Sequence, residues 1–284
     1  MMIWGNIAII APAGRLDSEK FDSGIGWLKR HGAQVTVMPN VLGGAEEKYL
    51  SASAEARVAD LHSAWGNPET DLIICTRGGF GSAQILSLID WALLRSRDIP
   101  LLGLSDITAL HLAMFKNGVG TPVSGPMLGR LAEMDDFTGD SLKRAISGAE
   151  PQKIIATPLQ HGANFEAFPR ALNLTIAASL CGTPFMPDLS GTLLILEDIA
   201  EPPYKIERAL TQLQQCGILG QCAGLAFGQF TDCGTEAELE HIFRKYASEV
   251  KGPVWSGFPF GHEAVTVSLN WARLVRVENM AIFA

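Results

Sequence analysis

The stretch Leu101-Leu-Gly-Leu-Ser-Asp-Ile-Thr-Ala-Leu110 joins two periodicities. Residues 100–102 form an apolar run of strand length. From Asp106 onward Ile107, Leu110, Ala113 and Met114 recur at helical spacing, and the pattern stops at Gly118. Ser105 therefore stands where a strand turns directly into a helix. Unsatisfied N–H groups and the positive end of the helix dipole meet at that point. A serine there has the geometry of a nucleophile elbow backed by an oxyanion site. Serine is also a favoured helix N-cap, so this stretch alone leaves both readings open.

Working outward, strand and helix alternate four times at short spacing. Residues 6–11 read as a strand running into Pro12-Ala13-Gly14, and Asp17 or Ser18 opens a helix to Arg30. A strand over 35–38 follows, then a loop over 39–50 that holds Gly43-Gly44, then a helix from Ser53 to Trp65. The third strand is 72–75, and a glycine-rich turn leads from it into a helix over 83–89. This alternation predicts a parallel sheet with helices on both faces, in a Rossmann-like (flavodoxin-like) domain over 1–148. Ligands of such sheets sit outside the carboxyl ends of the strands, where the loops at Gly14, Gly79 and Ser105 lie.

A strand and loop over 121–127 and a helix over 140–146 end that half. Residues 149–170 lose periodicity around Pro151, Pro158, Gly162 and Pro169 and read as a linker. In 171–284 we expect helices at 174–180, 206–213 and 238–250 and strands at 192–196, 224–227 and, twice, within 265–277. That mixture predicts an α+β domain with a barrel-like sheet.

A net charge of −8 without a Lys/Arg cluster argues against nucleic acid and anionic membrane as partners. The five cysteines show no CxxC spacing, so neither a zinc site nor a disulfide framework is expected, and a reduced compartment fits. The apolar start reads as a strand, not a signal peptide, and no stretch reaches the length of a membrane span. The expectation is a soluble cytoplasmic protein with no metal or cofactor.

Arg77-Gly-Gly-Phe-Gly-Ser82 follows a strand and opens a helix. It lacks the spacing and the lysine of a P-loop, so a phosphate cradle is poorly supported. The Gly79 N–H could pair with that of Asp106 as an oxyanion hole, or the glycines could simply make a tight turn. Arg77, next to Gly78, could clamp a substrate carboxylate or pair with a structural one. A serine nucleophile needs a base and an acid to orient it. His31, His62 and His241 read as solvated, and His161 lies in the linker. His262, in a Gly/Pro-rich loop, and His111, behind Ser105, stay equal candidates for the base. Glu197 and Asp198 end an apolar strand, either as the orienting acid or as surface carboxylates.

Several segments then resemble the serine LD-carboxypeptidase family, the group of muramoyltetrapeptide carboxypeptidase and the microcin C immunity peptidase. They are Ala11-Pro-Ala-Gly14, Cys75-Thr-Arg-Gly-Gly-Phe-Gly-Ser82, Gly103-Leu-Ser-Asp-Ile-Thr-Ala109, Ser124-Gly-Pro-Met127, Gly182-Thr-Pro-Phe-Met-Pro187, Leu196-Glu-Asp-Ile-Ala-Glu-Pro-Pro-Tyr204 and Phe260-Gly-His262. The resemblance implies Ser105 as nucleophile, Glu197 as acid, His262 as base, and Gly79 and Asp106 as oxyanion donors. Arg77 and Gly78, nominated above from their own chemistry, are the expected substrate-binding residues beside that set. It further implies a homodimer that removes D-alanine from murein tetrapeptide in cell-wall recycling. The alternatives are an immunity-type peptidase acting on a peptidyl-nucleotide antibiotic, or a non-catalytic peptide-binding module. Three positions depart from the family pattern: Ala171-Leu172 for a glycine pair, Phe80 for tyrosine, and Ser268-Leu-Asn270 for Pro-x-Gly.

Overall fold

The computed structural model describes residues 5–43 and 48–284. Gly44 of the 39–50 loop and Trp4 lie outside the described residues. In chain order the strands are β1 (Asn6–Ile10), β2 (Gln34–Val37), β3 (Leu72–Cys75), β4 (Pro100–Gly103), β5 (Thr121–Ser124), β6 (Lys153–Ile154), β7 (Thr157–Gln160) and β8 (Phe165–Ala167). They continue with β9 (Pro169–Asn173), β10 (Leu193–Ile199), β11 (Gly224–Thr231), β12 (Val254–Ser256), β13 (Leu269–Asn270), β14 (Val275–Glu278) and β15 (Ala281–Phe283). The helices are α1 (Ser18–Arg30), α2 (Ala54–Gly66), α3 (Ser82–Ile85), α4 (Trp91–Leu94), α5 (Thr108–Asn117), α6 (Asp136–Ser147), α7 (Leu174–Leu180), α8 (Pro203–Gln215), α9 (Ile218–Gln221) and α10 (Glu236–Ala247).

The first sheet has the order β13-β5-β4-β3-β1-β2. Read from β2, the parallel part is 2-1-3-4-5, the flavodoxin-like order. β3 is buried at every position, as is β1 beyond Asn6, because helices cover both faces. Asp17 caps α1 by accepting the Glu19 and Lys20 N–H groups, and Ser53 caps α2 through Ala56 N–H. β13 was not foreseen at this edge. It comes from the end of the chain and runs antiparallel to β5, pairing Leu269 with Ser124.

The second half differs from a barrel. It holds two open sheets, β7-β12-β11-β10-β9 and β6-β15-β14-β8, and no closed barrel forms among the described residues. Strands β9 to β12 run parallel and are joined by helical crossovers. Residues 149–170 contribute β6, β7 and β8 to these sheets rather than running between the halves without structure. Two to four residues with interspersed proline carry too little alternation to be read as strands. The helix expected over 83–89 is shorter, ending at Ile85, and a separate helix starts at Trp91. Among the described residues no helix is long and apolar enough to cross a membrane.

Candidate active site

β4 ends at Gly103, and Ser105 opens a 3-10 turn, Ser105–Ile107, that feeds into α5. Ser105 has φ +62°, a left-handed conformation that a β-carbon disfavours and that recurs at functional turns. The turn folds tightly over Gly78. A Cβ at Gly78 would lie 2.9 Å from Ser105 Cβ and 3.1 Å from Asp106 N. Neither the 3-10 turn nor α5 has a side-chain cap, so Ser105 is not an N-cap. It lines a cavity of about 500 Å³ instead.

The loop after β3 lies against this turn. Asp106 ties the two together. Its carboxylate accepts Ser82 N–H at 2.8 Å, and its carbonyl oxygen accepts the Ser82 hydroxyl. Burial pushes the Asp106 carboxyl up, while the Ser82 and Gly81 donors and the Arg57 charge pull it back. Arg57 holds the loop from the other side. This buried guanidinium donates to the carbonyls of Pro12 (2.7 Å), Gly81 (2.8 Å) and Ala52 (3.0 Å) and to Gln84 Oε1 (2.9 Å). Gly79 has φ +107°, and its N–H makes no hydrogen bond among the described residues. Arg77 lines the cavity and donates to the Arg15 carbonyl at 3.3 Å, with its guanidinium 5.8 Å from the Tyr49 ring. It has no carboxylate partner among the described residues. Phe80 projects outward, 55 % exposed.

The carboxylate and imidazole come from the second half. Opposite Glu197, strand β11 carries one extra residue between Phe227 and Phe230, so the β10–β11 register shifts between Leu196 and Asp198. The Glu197 carboxylate is fully buried and accepts His262 Nδ1–H at 2.7 Å and Asn173 Nδ2–H at 3.2 Å. Burial pushes it above the usual carboxylate range, the hydrogen bond and charge of His262 oppose that, and Asp198 adds to it. With Nδ1–H committed to a carboxylate, Nε2 is the nitrogen left to accept a proton. His262 lines the same cavity as Ser105. The structure thus places Ser105 and His262 on one cavity, with Glu197 behind the imidazole.

Asp198 serves otherwise. It accepts Thr175 N–H (3.0 Å), the Thr175 hydroxyl (2.7 Å), Ile199 N–H (2.9 Å) and Asn173 Nδ2–H (3.0 Å), which anchors the start of α7. Asn173, which bridges both carboxylates and caps α7, was not singled out from sequence as a site residue. Its position between a strand and a helix start was the available signal. Ala171 and Leu172 are buried in β9, and the Ala171 carbonyl accepts the Ser124 hydroxyl at 3.0 Å.

His111 is separated from the site. It is buried, donates from Nε2 to the Leu101 carbonyl at 3.1 Å, and is pushed down to about 4 by desolvation. An unfolded chain takes up this proton near 6.5 and the folded one only near 4. Stability is therefore full above pH 6.5 and falls as pH drops through that window, by up to about 3 kcal/mol. His111→Gln is expected to lose less stability than wild type between pH 7 and pH 4.5, as read by thermal melts at the two pH values. His62 accepts Asp90 N–H at 2.9 Å and so is used structurally, and His161 and His241 are exposed.

A family model described as the LD-carboxypeptidase N-terminal domain matches residues 7–124, and one for the C-terminal domain matches 172–277. Murein tetrapeptide carboxypeptidase of Pseudomonas aeruginosa is 32% identical over 275 residues, covering 92% of this chain and 89% of that protein. The probable murein peptide carboxypeptidase of Bacillus subtilis is 32% identical over 274 residues, covering 93% and 85%. Among solved structures, muramoyltetrapeptide carboxypeptidase from Oxalobacter formigenes has a TM-score of 0.88 at 29% identity, covering 98% of this chain and 97% of that one. The microcin C7 self immunity protein MccF shares the fold, with a TM-score of 0.87 at 19% identity over 100% and 96% of the two chains. With both halves matched in order and full-length relatives at this identity, the chain belongs to the LD-carboxypeptidase family.

Proposed function

We propose that this protein is a serine carboxypeptidase that hydrolyses the terminal LD amide of a murein tetrapeptide and releases D-alanine. The observation that carries the reading is the 2.7 Å hydrogen bond from His262 to the fully buried Glu197, on a cavity shared with Ser105. Ser105 Oγ attacks the scissile carbonyl while His262 Nε2 takes its proton. The imidazolium that forms is stabilised by Glu197 and passes the proton to the leaving amine. Water then enters, loses a proton to the same nitrogen and frees the acyl group from Ser105. The Gly79 and Asp106 N–H groups receive the oxyanion, where one donor is typically worth roughly 10²–10³ in rate. Arg77, which has no carboxylate partner among the described residues, takes a carboxylate of the peptide.

Gly78 contributes spacing in this scheme. Gly78→Ala would press a methyl group onto Ser105 and the Asp106 N–H, and it is expected to lower kcat about 100-fold in a folded protein. D-Alanine release by the purified variant, alongside a thermal melt, checks this.

Incubation of the wild-type protein with murein tetrapeptide, with D-alanine quantified and Ser105 probed by a phosphonofluoridate, tests the whole reading. Tight peptide binding with neither turnover nor labelling would make the protein a binding module instead. An immunity-type substrate would bring a nucleobase. Among the described residues no tryptophan lines the cavity: Trp65, Trp255 and Trp271 are buried, and Trp27 stacks on His31. A cytoplasmic setting, expected from the cysteine usage and the strand-like start, and a homodimer, implied by the family resemblance, complete the proposal.

A further inference from the structure

His262 belongs by sequence to the second half, yet its loop is fastened to the first. Arg130 lies in the 3-10 turn Leu128–Glu133, just before α6. Its Nη1–H donates to the His262 carbonyl oxygen at 3.1 Å and its Nη2–H to that of Glu263 at 3.2 Å. Thr138 and Ser141 of α6 continue the seam. The Thr138 hydroxyl donates to the Ala264 carbonyl (3.4 Å) and accepts Thr266 N–H (3.1 Å), and Ser141 Oγ accepts Ser268 N–H (2.9 Å). Of these three, Arg130 alone bonds His262 itself.

The other partner of Arg130 is weak. Glu133 sits 3.7 Å away, with side chains 40% and 56% exposed, a pair that contributes little. Gln229 of β11 holds the same loop from the second half, accepting Glu263 N–H and donating to the Val265 carbonyl. The rigid, planar guanidinium fork, with two donors on neighbouring carbonyls, sets the position and tilt of the loop against the first half. The Glu197–His262 bond does not do this. Both of its partners lie in the second half, and it orients the imidazole without fixing its distance from Ser105. Arg130 lines the cavity with both residues.

We infer that Arg130 is a positioning residue: it holds the His262 backbone against the first half, so that the imidazole stays on the cavity that Ser105 lines and Nε2 comes within reach of the Ser105 hydroxyl when substrate is bound. The inference rests on the triad reading proposed above. It makes a different demand from substrate contact, because misplacing the base slows the chemical step and leaves peptide binding intact.

The test compares wild type, Arg130→Met, which keeps the length of the stem without donors, and Arg130→Lys, which retains one charged donor. In R130M, kcat is expected to fall about 10- to 100-fold with KM within about twofold. The rate of Ser105 phosphonylation should fall in parallel, and R130K should recover part of the loss. The downfield Nδ1 proton resonance of His262, read by NMR, should persist in R130M because its Glu197 partner is in the same half. A raised KM at constant kcat would make Arg130 a substrate contact and overturn the inference. So would unchanged kinetics, or loss of the His262 resonance together with activity. Should R130M fail to fold, the R130K kinetics decide by the same criteria. If wild type releases no D-alanine the functional reading fails, while the labelling ratio of variant to wild type still tests Arg130.

Discussion

Replacing Ser105 with alanine is expected to give a folded protein that releases D-alanine on the order of 10⁴–10⁶ times more slowly than wild type. The Ser105 side chain supports nothing in the fold: it caps no helix and makes no hydrogen bond among the described residues. Alanine tolerates φ +62° no better than serine, so the strained turn and its thermal stability should change little. What disappears is the attacking oxygen. The residual rate would come from the oxyanion donors and from substrate positioning, which survive the substitution. Single-turnover release of D-alanine and a thermal melt measure both halves of the expectation. A rate close to wild type would remove Ser105 from the mechanism.

Glu197→Gln should cost nearly as much, about 10⁴-fold in kcat by the general cost of losing the carboxylate behind a catalytic histidine. Glutamine fills the same space and can keep a bond to His262. It no longer enforces the tautomer with a proton on Nδ1, and it does not stabilise the imidazolium. Stability should move the other way. Burial penalises the Glu197 carboxylate, so the neutral amide is expected to hold or raise Tm while activity collapses. Activity and Tm falling together would instead make Glu197 a structural residue.

Local pattern carried much of the architecture. Strands β1 to β5 and helices α1, α2, α5 and α7 follow from apolar periodicity and from caps such as Asp17, Ser53 and Gly118, all within a few residues of what they control. The strands missed in 149–170 and at the chain end, β6, β7, β8 and β15, have two to four residues each. The partners of β6, β7 and β8 are remote in sequence, so nothing local marks them, while β15 pairs in a hairpin with the adjacent β14 and is short enough to escape a reading by periodicity. The same limit applies to β13, whose partner β5 is about 145 residues earlier.

Residue chemistry along the chain was enough to nominate Ser105, the 77–82 loop, Glu197 and His262. It left His111 level with His262 and Asp198 level with Glu197. The family resemblance favours His262 and Glu197, and what distinguishes the members of each pair in the structure is contact between segments far apart. His111 Nε2 is spent on the Leu101 carbonyl in the core, while His262 meets a carboxylate 65 residues away on β10. Arg57 and Asn173 were invisible for a related reason: an arginine on a helix and an asparagine at a strand end take their meaning from the groups they bridge. Periodicity and turn chemistry are short-range and can be read one segment at a time. The partner of a buried polar group is set by how separately formed segments pack, and that information exists only in the assembled chain.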